Sequence, residues 1–185
     1  MLEELVDNSR TDKNIVHSYL PLYQKLLESK KETAKNVLEI GIHKGGSIKL
    51  WSDFFTHATI YGIDVAPLDK YVNDLKDRNV ILYTSTNAYQ PKVANFFLQK
   101  GTRFDFLLDD GPHTLESMKW FIRLYTPLLT DDGILIIEDI QLLDWVEILT
   151  KVVPDHLKRF IKTYDLRSIK HKYDDIVFTI NKSLV

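Results

Sequence analysis

After Lys35 the chain alternates short apolar runs with helix-length amphipathic segments. The runs predict strands at about 36–42, 59–65, 80–85, 104–110, 133–140, 159–167 and 174–181. Most of the stretches between them carry helical spacing. Ile48, Trp51, Phe54 and Phe55 fall on one face of 47–55, and Leu115, Met118, Ile122 and Tyr125 on one face of 114–125. Such alternation implies an α/β fold, with a mostly parallel sheet and helices on both faces. The last two runs are joined by a few residues, too few for a parallel crossover, so the final strand should run antiparallel. Ahead of the sheet, TDKNIVHSYLPLYQKLL predicts a helix that lays Tyr19, Leu22, Tyr23 and Leu26 against it.

These elements describe a Rossmann-like seven-stranded sheet of the methyltransferase type. A single domain over 1–185 is expected, with 1–35 as an N-terminal helical cover and 36–185 as the core.

Two of the runs stop abruptly at acids. LLDDGPHT carries Asp109, Asp110 and His113, and ILIIEDI ends in Glu138 and Asp139. One helix-length stretch separates them, which makes them neighbouring parallel strands about 4.8 Å apart. Ligands of open α/β sheets bind at the carboxyl ends of the strands, so these acids and His113 should share a pocket. Asp110, Glu138 and Asp139 are hard oxygen ligands suited to magnesium, manganese or calcium. Without a cation, converging carboxylates would repel and raise one another's pKa; a bound divalent ion removes that conflict. The plainer alternative has Asp139 capping the next helix and Glu138 facing solvent. His113 is a candidate proton acceptor at neutral pH. Asp131 and Asp132, just before Gly133, read as a turn.

The first run continues as NVLEIGIHKGGSIKLW, in which Glu39 and Gly41 end a strand and Gly45, Gly46 and Ser47 turn the chain into a helix. Glycines there permit positive φ and close approach of a ligand to the backbone. A dinucleotide-binding loop would place a second glycine where His43 stands. The loop therefore suits a nucleoside ligand without a pyrophosphate, of which S-adenosylmethionine is the commonest. The next strand ends at Asp64, where a carboxylate can accept both ribose hydroxyls; capping a helix before Pro67 is the alternative. Thr84, Ser85, Thr86 and Asn87 end the third strand, within reach of an adenine edge or as ordinary turn residues.

Composition narrows the classes. Hydrophobic residues make up 44% of the 185 and charged ones 27%, values of an ordinary globular protein. No apolar stretch is long enough to span a bilayer, and the polar N-terminus is unlike a signal peptide, so a cytoplasmic location is expected. The absence of cysteine excludes disulfides, zinc-thiolate sites and thiol nucleophiles. A net charge of −2 offers no case for nucleic acid as a partner. The basic patch Arg167, Lys170, His171 and Lys172 reads as a solvated hairpin loop. A homo-oligomeric state is left open.

With these blocks in view, the chain resembles class I S-adenosylmethionine-dependent methyltransferases, specifically the macrocin and mycinamicin type of sugar O-methyltransferase. The likeness runs from TDKNIVHSY through LEIGIHKGGSIKLW and YGIDV to LLDDGPHT and GILIIEDI. It implies transfer of a methyl group to a hydroxyl of a sugar or glycoside, a small-molecule or glycan acceptor, and a divalent cation, magnesium above all. Asp110 and Asp139 match its metal ligands, with Glu138 as a third. His113 matches the general base, with Asp110 beside it in the catalytic set. Glu39, Gly41, Ser47 and Asp64 match its cofactor positions, while Gly45, Asn87 and Asp109 are cofactor-binding candidates from their places at the strand ends and not from the resemblance. Thr11, Asp12, Lys13, His17 and Tyr19 look like the segment that closes over the cofactor. The chain departs from the pattern at Gln24, where Glu is frequent, at Pro112, where Ser is usual, and at Asn87–Ala88, which replace Asp–Gln. Relatives can also have an additional N-terminal domain that helps bind the acceptor, and none is expected in this chain. A catechol-type O-methyltransferase and a noncatalytic S-adenosylmethionine-binding module are the alternatives. An NAD-dependent oxidoreductase is disfavoured by His43 and by the lack of a Tyr-x-x-x-Lys pair.

Overall fold

The computed structural model describes residues 1–67, 73–75 and 78–183. All seven expected strands are present: β1 (Asn36–Ile40), β2 (Thr59–Ile63), β3 (Val80–Tyr83), β4 (Phe104–Asp109), β5 (Leu129–Ile137), β6 (Ile161–Asp165) and β7 (Ile176–Asn181). They form one sheet in the order β3-β2-β1-β4-β5-β7-β6. The first five in that order pair in parallel, and β7 runs antiparallel to both β5 and β6.

The helices are α1 (Leu2–Leu5), α2 (Tyr19–Leu27), α3 (Gly46–Phe54), α4 (Pro91–Gln99), α5 (Leu115–Tyr125), α6 (Asp144–Val152) and α7 (Arg167–Lys170). They cover both faces because neighbouring strand residues point to opposite sides. Phe106, Leu108, Ile134 and Ile136 pack with Leu20, Tyr23, Ile48 and Trp51 of α2 and α3. Leu107, Leu135 and Ile137 pack with Phe97, Met118, Phe121 and Leu149 of α4, α5 and α6. Strands buried on both faces read as continuous apolar runs, which is why β4 and β5 stood out in the sequence.

Strand order reverses between β1 and β4, the place where an α/β sheet opens a crevice at its carboxyl edge. Register carries Gly41 and Asp110 to that crevice together, since Ile40 pairs with Asp109 and the Asp110 N–H donates to the Ile40 carbonyl at 2.9 Å.

Local differences from the sequence reading have physical causes. The helix expected over TDKNIVHSYLPLYQKLL begins only at Tyr19, and Thr11–Ser18 is turn and coil whose buried Lys13 and His17 point inward. Asp131 and Asp132 lie within β5 rather than in a turn, because a bulge opposite Phe104–Phe106 lets the strand start at Leu129. The basic patch holds the short α7, which ends at His171 with φ of 56°. Lys170 there is not merely solvated: its Nζ donates to the His17 carbonyl at 2.8 Å and also to that of Asn14. Among the described residues no helix is long and apolar enough to cross a membrane.

Candidate active site

A cavity of about 860 Å³ opens at the crevice between β1 and β4. Of the expected site residues, Thr11, Gly41, Ser47, Asp64, Asn87, Asp110, His113 and Asp139 line it. Lys13, Glu39, Gly45, Asp109 and Glu138 stand behind that lining.

The glycine loop is shaped by contacts that exclude other residues. Gly41 has φ of +92°, and a Cβ there would lie 1.9 Å from the Asp110 carbonyl oxygen. Gly45 adopts φ of 70° as it starts α3. Gly46 lies under the N-terminal segment, where a Cβ would come within 2.5 Å of the Arg10 carbonyl carbon. Asp64 holds this loop: its Oδ2 accepts the N–H groups of Ile42 at 2.7 Å and His43 at 3.2 Å, and its Oδ1 accepts that of Ala66 at 2.8 Å. A carboxylate has about four acceptor positions, of which these bonds among the described residues take three. Asn87 caps its own turn by accepting the Tyr89 N–H at 3.0 Å, and Ala88 uses its carbonyl to accept the Tyr125 hydroxyl at 2.8 Å.

Behind the opposite wall lies a buried ionic cluster. Lys13 is wholly buried; its Nζ donates to Asp110 Oδ2 at 2.7 Å and to Glu138 Oε1, and lies 3.7 Å from Glu39 Oε1. Glu138 accepts the Tyr23 hydroxyl on its other oxygen. Glu39 Oε2 accepts the Trp51 indole N–H at 2.8 Å, while its Oε1 has no hydrogen-bond partner among the described residues. Burial pushes the Glu39 carboxyl up to about 7, against the pull of Lys13. Asp109 accepts the Tyr89 hydroxyl at 2.5 Å, and burial likewise lifts it to about 7.

On the cavity side, His113 Nδ1 lies 3.0 Å from Asp139 Oδ2, and His113 Nε2 lies 3.8 Å from Asp110 Oδ1. Burial depresses the imidazole, but the bond and charge of Asp139 with the charge of Asp110 outweigh it, and its pKa ends above the usual value. Asp139 Oδ1 also accepts the Tyr19 hydroxyl. Burial raises Asp139, yet its hydrogen bonds from His113 and Tyr19 bring it below the ordinary carboxylate range. Ligand atoms of Asp110, His113 and Asp139 all fall within 4.8 Å of one another, as do those of His17, Asp139 and Asp174. Two cavity-facing carboxylates with an imidazole are a donor set that a hard divalent cation fits.

Residues 38–140 match the family model described as a methyltransferase domain. This chain belongs to that family. Among curated relatives, the domain is 28% identical over 153 residues to the mycinamicin VI 2''-O-methyltransferase of Micromonospora griseorubida, covering 78% of this chain and 37% of the relative. It is 29% identical over 133 residues to an 8-demethyl-8-(2-methoxy-alpha-L-rhamnosyl)-tetracenomycin-C 3'-O-methyltransferase of Streptomyces olivaceus, covering 67% and 32%. The chain thus spans about a third of the length of those relatives. A solved structure of the MycE methyltransferase from the mycinamycin biosynthetic pathway, in complex with Mg, SAH and mycinamycin VI, superposes with a TM-score of 0.74. At 21% identity, over 97% of this chain and 53% of that one, the likeness shows a common fold.

Asp174, Asp175 and Tyr23 of this methyltransferase domain escaped the sequence reading as neighbours of the site. Asp175 is wholly buried and lies 2.6 Å from His17 Nδ1. His17 stacks on Tyr19 with ring centroids 5.0 Å apart, and Tyr19 stacks on Tyr23 at 5.8 Å. An aromatic column therefore links the site to the core around Trp51. A signal existed: Asp174 and Asp175 abut an apolar run, as the acids of β4 and β5 do, but at its start rather than its end. Because β7 is antiparallel, its start lies at the same edge of the sheet as their ends.

Proposed function

We propose that this domain transfers the methyl group of S-adenosylmethionine to a hydroxyl of a sugar or glycoside with neighbouring hydroxyls, with a divalent cation, magnesium first among them, held by Asp110 and Asp139. The observation that carries this reading is one continuous cavity with the glycine loop and Asp64 on one side and Asp110, His113 and Asp139 on the other. The names of the relatives, which act on sugar hydroxyls, support the acceptor class.

Gly41 keeps the wall between the two halves thin, and Ser47, Asp64 and Asn87 offer polar groups to a nucleoside. When bound, S-adenosylmethionine supplies the methyl group and leaves as the neutral thioether. A divalent cation, when bound, lowers the pKa of an acceptor hydroxyl. His113 handles the proton. Its Nδ1–H is held by Asp139, which leaves Nε2 as the atom that accepts the hydroxyl proton as the new O–CH₃ bond forms and the S–CH₃ bond breaks. Tyr19 keeps Asp139 in place from the far side. Pro112 lines the cavity beside His113, and the histidine ring still reaches both carboxylates.

The reading is tested by incubating the protein with labelled S-adenosylmethionine, magnesium and rhamnose-type glycosides. Label in the sugar supports it. Label appearing only in flat aromatic diols would move the assignment to a catechol-type reaction, and cofactor binding without turnover on any acceptor would make the chain a binding module.

A further inference from the structure

The coil over residues 11–18 has neither a helical nor a strand period to hold it, yet with Arg10 before it the coil carries one wall of the cavity, through Thr11 and Asp12. Its two ends are fastened to different parts of the fold. At the front, the Arg10 guanidinium donates to the Lys44 carbonyl of the glycine loop at 2.9 and 3.0 Å, and Gly46 packs against the Arg10 backbone. At the back, the connection between β6 and β7 grips the chain. Lys170 Nζ donates to the carbonyl of Asn14 and, at 2.8 Å, to that of His17. Asp175 accepts the Ser18 N–H at 3.2 Å on one oxygen, and its other oxygen lies 2.6 Å from His17 Nδ1. The connection reaches the coil because β7 is antiparallel to β5, which puts residues 166–175 at the carboxyl edge of the sheet, beside the crevice.

We propose that Lys170 is a positioning residue for the cofactor: from the β6–β7 connection it holds the coil so that Thr11 and Asp12 stay against the nucleoside half of the cavity. The inference rests on the cofactor side of the Proposed function. The route from Lys170 to the cavity is short and made of backbone. The His17 carbonyl accepts from Lys170; the N–H groups of His17 and Val16 donate to the Asp12 carbonyl at 2.9 and 3.1 Å; and Asp12 lines the cavity. Asn14 and His17 lie outside any helix or strand, so their carbonyls must find partners beyond a ladder. An ammonium, with three protons and no acceptor, can meet two such carbonyls at once and so fix the spacing between them. Lys170 is itself exposed, and the short α7 that ends with it buries no side chain, so replacing it removes the grip without opening the core.

Two measurements on the full chain test this. The first is residue-resolved hydrogen exchange without any ligand. Lys170→Met should speed exchange of the Val16, His17 and Tyr19 amides by about tenfold, while the amides of β7 change by less than about threefold. Faster exchange in β7 with an unchanged coil would mean that Lys170 supports only its own hairpin, and overturns the proposal. The second is calorimetric binding of S-adenosylhomocysteine. Lys170→Met should weaken it by about fivefold or more, and Lys170→Arg, which can still donate to both carbonyls, should recover most of the loss. Unchanged affinity in Lys170→Met, alongside a loosened coil, overturns the link to the cofactor. If the unaltered chain does not bind S-adenosylhomocysteine, the cofactor reading of the cavity is what fails, and the exchange measurement alone then decides whether Lys170 anchors the coil.

Discussion

His113 and Asp139 face each other across the cavity wall with Nδ1 and Oδ2 3.0 Å apart, and both residues hold positive φ, 53° and 56°. Side-chain-bearing residues rarely sit there, and such strain is tolerated where it aims a functional group. His113→Ala should therefore lower kcat by about 10²- to 10⁴-fold, the usual contribution of a proton acceptor. Binding of S-adenosylhomocysteine, measured by calorimetry, should change little. Equal losses in both would mean that His113 shapes the cofactor side instead.

Gly41 is expected to tolerate no side chain. Its φ is +92°, and the Asp110 carbonyl oxygen lies 1.9 Å from where a Cβ would stand, so a methyl group has nowhere to go. Gly41→Ala should cost more than about 2 kcal/mol in urea unfolding. Stability equal to the parent would show that the crevice is wider than the structure has it.

Asp64 ties three N–H groups of the loops around the glycine turn. Asp64→Ala should weaken S-adenosylhomocysteine binding by about tenfold or more, and Asp64→Asn less, because its carbonyl can still accept the Ile42 and His43 bonds. Titration calorimetry separates the two. Equal effects would argue that the negative charge, and not the scaffold, matters.

Much of this was legible in the chain. The parallel strands announced themselves because burial on both faces demands unbroken apolar runs, and the acids at their ends marked the functional edge. Asp110, His113 and Asp139 come together because β4 and β5 are paired in register, Asp109 opposite Ile137, a relation that follows from one crossover helix. The roles of Lys13 and Tyr23 were not legible. Both lie far from β5 in sequence, and a helical period explains Tyr23 as a core residue without any hint that its hydroxyl reaches Glu138. The coil that carries Lys13 inward lacks a period altogether; its course is set by tertiary bonds such as those from Lys170 to the carbonyls of Asn14 and His17.

Glu39 gives the stability of the fold a pH dependence. Burial raises its carboxyl from 4.5 to about 7, so between those values the folded chain holds a proton that the unfolded chain has lost. Its contribution to stability therefore falls as pH rises through that window. Glu39→Gln, which keeps an acceptor for Trp51, should gain stability relative to the parent at about pH 8 and little at about pH 5. Unfolding curves at both values check this; a variant offset that does not change with pH would contradict it.

The central claim is tested most directly by following label from S-adenosylmethionine into a rhamnose-type glycoside, with magnesium and with a chelator in its place. Methyl incorporation at a sugar hydroxyl is expected with magnesium, and its loss with the chelator while S-adenosylhomocysteine still binds. Undiminished transfer in the chelator, or an Asp139→Asn variant as active as the parent, would contradict it.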